Sequence, residues 1–299
     1  MISVIIATHN RADLLDEELQ HVYKQRNAEF EVIVINDNEE PEATDLVMKK
    51  YPSAIYVKDK KIQGPCNKYK AGFKLAKGPY LYMPNDDDYL TDCDFFSKSE
   101  TILNHDKTIS FVSGNVTILH EYVDYKEEQP TKLNVQGRVA SIDYIQHFQE
   151  DYQKPLSTVS TIFRKEAFDK IGIENIIEFT DSSQYLIALL YGDAHIMEDD
   201  VAVYRTYESE NNLTYNVSKN FIINVLKQKE KIYFQTKCML PHARTFWKNQ
   251  YMVTYSLVDQ SRMIILDKAY ICLWGILHSH GSRGLIKYII RNLHKIIFK

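Results

Sequence analysis

Over the first ninety residues, apolar runs of strand length alternate with stretches whose apolar residues recur at helical spacing. Ile2–Ala7 is a continuous apolar run closed by the polar Thr8-His9-Asn10, the pattern of a strand buried on both faces. Asp13–Arg26 places Leu14, Leu15, Leu19, Val22 and Tyr23 on one helical side. The pattern predicts a second strand over Glu31–Ile35, ending at Asn36-Asp37-Asn38, then a helix over Glu42–Lys50 and a third strand over Ala54–Val57. A helix over Gly64–Ala76 is closed by Gly78-Pro79, and Tyr80–Met83 is a fourth strand. Strands alternating with helices in this way predict an α/β fold with a mainly parallel sheet.

Beyond residue 91 the pattern is mixed. Phe95–Leu103 and Lys165–Ile171 read as helices, and Ile109–Ser113, Val116–Leu119, Ser160–Phe163 and Val201–Tyr207 as strands. Asp181–Tyr191 reads as a helix with Asp181 and Ser182 placed to cap its start. Met197-Glu198-Asp199-Asp200 reads as a loop before a strand. From Lys219 onward the patterns are helical: Phe221–Tyr233, Pro241–Leu257 and Gln260–Leu277. The expected organisation is a domain over residues 1–210, with a regular half (1–90) and a more mixed half (91–210), followed by a helical region over 211–299.

Composition changes this picture little. The chain has 299 residues, 44% hydrophobic and 25% charged, with a net charge of −4, so no overall basic field points to nucleic acid. The four cysteines (Cys66, Cys93, Cys238, Cys272) form no CxxC pair, which fits reduced thiols better than zinc or redox chemistry. The run ISVIIA is too short for a signal peptide or a membrane span, so a cytoplasmic setting is expected. Arg283, Lys287, Arg291, Lys295 and Lys299 recur every fourth residue, and no acidic residue follows Asp267. With Ile286, Ile289, Ile290, Leu293, Ile296 and Ile297 they describe a basic amphipathic helix. Such a helix suits either a peripheral contact with an anionic membrane through 283–299, or packing on the protein or on a second subunit of a homo-oligomer.

Candidate chemistry concentrates where the predicted strands end. Thr8, Asp37 and the consecutive carboxylates Asp86, Asp87 and Asp88 lie at the carboxyl ends of strands one, two and four, where open α/β sheets bind ligands. Adjacent carboxylates repel and call for a cation. Hard divalent ions such as Mg²⁺ and Mn²⁺ are held by one or two carboxylates together with substrate phosphates. Neither GxGxxG after the first strand nor GxxxxGK[ST] is present, which disfavours dinucleotide dehydrogenases and P-loop NTPases.

Four segments in order, SVIIATHNRADLL, EVIVINDN, GPCNKYKAGFKLAKGPYLYMPNDDDYL and IFRKEAFDKIGI, resemble the bacterial family 2 glycosyltransferases of GT-A fold across about residues 1–210. The resemblance implies a Rossmann-like GT-A domain and an inverting transfer of sugar from a nucleotide-diphosphate donor, commonly a UDP-sugar, with Mn²⁺ or Mg²⁺. The resemblance also implies that residues 1–90 are the nucleotide-binding half and 91–210 the acceptor half, and that the acceptor is a glycan, lipid-linked or protein-linked hydroxyl in bacterial surface polysaccharide or glycoconjugate synthesis. It places Thr8, Asn10, Asp37, Lys68, Asn85 and Asp86 at the nucleotide, Asp87 and Asp88 at the metal, and Asp181 as the base that deprotonates the acceptor. Asn85 stands where the family has the first Asp of its DxD-type motif, and Thr180 where the base has an acidic neighbour. Tyr207 falls in the segment where many members carry a histidine near the diphosphate, and Arg205 could pair with phosphate. Two alternatives stay open: a metal-dependent nucleotidyltransferase, which would be expected to carry a Gly-rich loop after strand one, and a non-catalytic binding module that kept the fold.

Overall fold

The computed structural model describes residues 1–38, 41–122, 125–207 and 217–297. Lys299, the last position of the predicted basic stripe, lies outside the described residues. The first strand, β1 (Ile2–Thr8), pairs in parallel with β2 (Phe30–Asn36) and, on its other side, with a later strand. Between β1 and β2 runs α1 (Ala12–Val22), and α2 (Glu42–Met48) leads to β3 (Ile55–Lys58). α3 (Pro65–Leu75) then returns to β4 (Tyr80–Tyr82), completing the parallel order β3-β2-β1-β4. These strands lie between helical layers, so they are apolar on both faces: Ile2, Val4, Ile5, Ile6, Ile33, Val34 and Ile35 are all fully buried.

The sheet continues through β5 (Tyr89–Leu90), β6 (Ile109–Glu121), β7 (Lys126–Pro130), β8 (Gly137–Val139), β9 (Thr161–Arg164) and β10 (Asp193–Tyr207), with α4 (Phe95–His105), α5 (Ser141–His147), α6 (Lys165–Ile171) and α7 (Asp181–Leu189) between them. Among the described residues this makes a ten-stranded mixed sheet in which antiparallel β9 joins β4 to β6, and β6 and β10 run parallel. Two expectations are corrected here. The separate strands at 109–113 and 116–119 are one strand running through Gly114, where a Cβ would come within 2.7 Å of Val201. The acidic stretch 197–200 is inside β10, in a region of shifted register between Ile196 and Ala202, so it is a bulge instead of a loop.

The chain forms two compact units, Met1–Ser141 with Gln153–Tyr207, and Ile142–Tyr152 with Glu208–Lys299. The second holds most of α5 together with α8 (Lys219–Thr236), α9 (Ala243–Gln260), α10 (Ile265–Leu277) and α11 (Arg283–Ile297). The α5 segment is tied in by the His242 N–H, which donates to Gln146 Oε1 at 2.9 Å, and by Gln250 Nε2, which donates to the Phe148 carbonyl at 2.9 Å. α11 packs against α10 with Leu285 and Ile289 turned inward, so its apolar side is partly spent on packing within the unit. The exposed apolar residues lie mainly on α10: Leu266, Tyr270, Leu273 and Leu277, spaced three to four residues apart on one face.

Candidate active site

Every candidate residue belongs to the first unit, and the sheet explains their proximity. β1, β2 and β4 run parallel in adjacent places, so the segments after them emerge along one edge. After β2 comes Asp37, almost fully buried. Its Oδ1 accepts from Lys68 Nζ at 2.9 Å and lies 2.8 Å from His9 Nδ1, while Oδ2 accepts from the Gly64 N–H at 3.2 Å. Burial alone would push this carboxyl up, but the hydrogen bonds from Lys68, His9 and Gly64 outweigh it and hold Asp37 below the usual carboxylate range. Gly64 adopts φ 80°, in the region natural to glycine, where it precedes Pro65 at the start of α3. Lys68 is itself 4% exposed and also donates to the Thr8 carbonyl at 2.9 Å, so it acts as a brace beneath Asp37. The Thr8 hydroxyl is buried without a hydrogen-bond partner. Asn10, with φ 54°, donates its backbone N–H to Asn38 Oδ1 at 2.8 Å, linking the loops after β1 and β2.

The acidic turn after β4 splits into two environments. Asp86 and Asp87 share one cation: Arg11 Nη1 lies 2.9 Å from Asp86 Oδ1 and 3.0 Å from Asp87 Oδ2. Burial pushes the Asp87 carboxyl up, the Arg11 charge pulls it down, and Asp86 pushes it up again. Asp88 turns inward. Its Oδ2 accepts from Ser157 Oγ at 2.6 Å and from Asn85 Nδ2 at 3.3 Å, and its Oδ1 accepts from the Arg205 N–H at 2.9 Å. Burial first and the charge of Asp87 second push Asp88 up to about 8, against those hydrogen bonds. The three aspartates therefore do not converge on one point. Asp86 and Asp87 present an oxygen-only pair that demands a positive partner, a donor set suited to a hard divalent ion. Asp88 and Asn85 instead fasten the turn to the protein.

Arg205 and Tyr207, both on β10, sit beside this turn. The Arg205 guanidinium is 2.9 Å from Glu17 Oε2 and 3.3 Å from Glu121 Oε1, and lies over the Tyr89 ring at 5.2 Å. Burial would weaken its charge, but Glu17 and Tyr207 keep it firmly cationic. Two carboxylates thus already neutralise the charge that the sequence suggested for phosphate. The Tyr207 hydroxyl is pushed up to about 12, mainly by burial and against the pull of Arg205.

Asp181 opens α7 but does not cap it, which corrects the expectation. Thr180 is the cap: its side chain accepts from the Ser183 N–H, and Ser183 Oγ accepts from the Thr180 N–H at 2.9 Å, a capping box. The threonine that departs from the family pattern has this role, and Asp181 is free of it. The Asp181 carboxylate is about one-third exposed, with Lys154 Nζ 3.7 Å from Oδ2. Tyr69 and Tyr204 are each pushed up by burial and then by the charges of Asp181, Asp87 and Asp88, which places Asp181 in the same acidic surroundings.

Sequence reasoning missed Arg11, Ser157, Lys154 and Glu18. Arg11 had a signal, as the one cation in the loop after β1. Ser157 and Lys154 had none, because only the return of the chain through β9 and α7 brings them here. Glu18, on α1, is fully buried and accepts from the Tyr82 hydroxyl at 3.3 Å.

The model of glycosyl transferase family 2 matches residues 3–172, more than half the chain, and the chain belongs to that family. An uncharacterized glycosyltransferase of Rickettsia bellii (strain RML369-C) is 30% identical over 117 residues, covering 39% of this chain and 16% of that protein. The uncharacterized glycosyltransferase YwdF of Bacillus subtilis (strain 168) is 25% identical over 177 residues, covering 57% and 60%. The chain thus matches less than two thirds of either relative's length. Among solved structures, S. aureus TarS 1-349 in complex with UDP-GlcNAc matches with a TM-score of 0.61 at 15% identity, covering 99% of this chain and 90% of that one. The mannosyltransferase PcManGT of Pyrobaculum calidifontis, in complex with GDP-Man and Mn²⁺, matches with a TM-score of 0.53 at 16% identity, covering 100% and 81%. These likenesses establish the fold, which is the GT-A fold expected from the sequence.

The buried Glu18 carboxyl gives a pH prediction. Burial first, then the charge of Asp88, push it well above the usual carboxylate range, against the Tyr82 hydrogen bond. A raised folded-state pKa means that the folded chain holds a proton which the unfolded chain has released. The stabilisation is full below the unfolded value of about 4.3 and is lost as pH rises toward the folded value. Wild type should therefore lose stability as pH rises through the range above about 4.3, by at most ~1.4 kcal/mol per pH unit from this group, relative to Glu18→Gln. Urea unfolding across that range measures the difference. Parallel curves for the two proteins would mean that Glu18 is ionised in the fold.

Proposed function

We propose that the protein is an inverting, metal-dependent glycosyltransferase that moves a sugar from a nucleotide-diphosphate donor, by preference a UDP-sugar, to a hydroxyl of a glycan, lipid-linked or protein-linked acceptor. The observation that carries this reading is the pair Asp86 and Asp87 at the end of β4, held together by one cation, with Asp181 in the same acidic surroundings. Its support is the family membership and the fold shared with proteins solved with UDP-GlcNAc and with GDP-Man and Mn²⁺.

In this proposal Asp37, kept anionic, accepts a hydrogen bond from the imide N–H of the base. Three donors already meet its two oxygens, and a carboxylate has room for about one more. Thr8 and Asn10 lie at the same sheet edge, and Lys68 fixes Asp37 instead of reaching the nucleotide. Asp86 orients the ribose. Asp87 would hold Mn²⁺ or Mg²⁺, which when bound neutralises the diphosphate charge that grows as the sugar leaves. Asn85 and Asp88 hold the turn so that Asp87 is presented, and Arg205 and Tyr207 form its wall. Asp181, relieved of capping by Thr180, takes the proton from the acceptor hydroxyl as it attacks the anomeric carbon, and a single direct displacement inverts the configuration.

The proposal extends to location. Among the described residues no helix is long and apolar enough to cross a membrane. The exposed apolar face of α10 and the exposed Arg283, Lys287, Arg291 and Lys295 on α11 together suit an anionic lipid surface, contacted from the cytoplasmic side.

Three measurements test these statements. Titration with UDP, GDP and dTDP should show one nucleotide binding with Mn²⁺ but not with EDTA, and Asp87→Ala should abolish it; absence of binding under every condition would sink the reading. Asp181→Asn should keep that nucleotide binding and lower release of nucleoside diphosphate from the matching sugar donor by about 10²–10⁴-fold. Unchanged release would move the base elsewhere. The chain should sediment with vesicles rich in phosphatidylglycerol but not with phosphatidylcholine alone, and Lys287→Glu with Arg291→Glu should release it. Indifference to vesicle charge, with self-association in scattering, would assign the surface to a second copy.

A further inference from the structure

The helical unit contains a cluster that the transferase reading does not use. Glu230 of α8 points one carboxylate oxygen, Oε1, at two imidazoles: His278 Nδ1 is 2.7 Å away and His280 Nε2 is 2.6 Å away. All three ligand atoms lie within 4.8 Å of one another. The histidines come from the end of α10 and the turn that follows, separated by Ser279 alone.

Both rings are fixed before any ligand arrives. His278 lies face to face on Trp274, with centroids 3.9 Å apart and planes 9° from parallel, and Trp247 Nε1 donates to its carbonyl at 2.8 Å. His280 stacks on Tyr233 at 5.0 Å and holds φ at 50°, a left-handed conformation that is uncommon outside glycine. The chain thus holds His280 in an unfavoured backbone region and aims its ring at the carboxylate that its neighbour also faces. The cluster remains partly open, with side-chain exposures of 36% for His278, 20% for His280 and 12% for Glu230.

We infer that Glu230, His278 and His280 form a binding site for a borderline divalent cation of the Zn²⁺ type, with solvent at the fourth position. Two imidazoles and one carboxylate are the donor set that zinc takes when one position is left open. Bonds of about 2.0–2.1 Å in a tetrahedron place donor atoms about 3.3 Å apart, so the carboxylate oxygen has to back away from each nitrogen by less than an ångström, and the two nitrogens, which lie within 4.8 Å of each other, have to settle at that same spacing. Each neutral imidazole needs only to carry its proton on the other ring nitrogen, and no oxidation or reduction is involved. The imidazoles separate this site from Asp86 and Asp87, whose oxygen-only set suits Mg²⁺ or Mn²⁺. A bound ion would clamp the turn after α10 onto α8. The inference stands whether or not the transferase reading holds.

The test is a titration of the chelator-treated full chain with Co²⁺, a coloured substitute for Zn²⁺, in excess Mg²⁺. Wild type and Asp87→Ala should both bind a single equivalent with visible ligand-field bands of low-symmetry coordination, and Zn²⁺ should displace it and raise the thermal midpoint. The bands and the Zn²⁺-induced shift should disappear in His278→Ala with His280→Ala. Glu230→Gln, which keeps the helix and its volume, should weaken binding at least tenfold while leaving the circular dichroism spectrum intact. An absence of bands in wild type would overturn the inference. So would bands retained in both the double-histidine and the Glu230→Gln variants, or bands lost in Asp87→Ala.

Discussion

Three carboxylates in a row at the end of a buried strand cannot all be charged and unpaired, and much of the first unit follows from how that conflict is resolved. Arg11 reaches across from the loop after β1 and bridges Asp86 and Asp87 with one guanidinium nitrogen. Asp88 takes the other course: it leaves water and lodges among Ser157, Asn85 and the backbone of Arg205. The first solution needs β1 beside β4. The second needs β10 and the Ser157 segment to close over the turn. Any cation entering between Asp86 and Asp87 competes with Arg11, so affinity there is a difference between two positive charges.

The same arrangement separates groups that touch ligand from groups that hold them in place. Lys68 is a cation in the middle of the site, yet its ammonium is buried against Asp37 and the Thr8 carbonyl. Arg205 is likewise taken up by Glu17 and Glu121. A site for a charged donor would then rest on a framework of already neutralised pairs, leaving Asp86, Asp87, Asp181 and the last acceptor place on Asp37 to respond to what binds.

Much of this was legible in the sequence, for physical reasons. Strands buried on both faces must be apolar throughout, so β1, β2 and β4 stand out, and their polar ends mark the edge where Thr8, Asp37 and Asp86 gather. What was hidden depended on contacts distant along the chain. Glu198, Asp199 and Asp200 looked like a loop because a register shift breaks the alternation that identifies a strand. Asp181 looked like a cap because aspartate is a good cap, and only the geometry shows Thr180 in that place. Glu18 reads as an ordinary solvent-facing helix residue until α1 is seen packed over the acidic turn. The pairing of His278 and His280 with Glu230 joins positions 48 and 50 residues apart, with no spacing to reveal it.

Gly72 touches none of these groups, yet a Cβ there would lie 2.2 Å from Ile5 Cγ2 of β1. α3 therefore rests on the sheet at backbone distance. The same helix carries Lys68 one turn earlier and follows directly from Gly64, the two donors that clamp Asp37 from this side. A helix is stiff along its axis, so α3 behaves as a beam with its fulcrum at Gly72. A methyl group at the fulcrum would lift the far end and draw both donors away from the carboxylate. The hold of Lys68 and Gly64 on Asp37 thus depends on a missing side chain in the core.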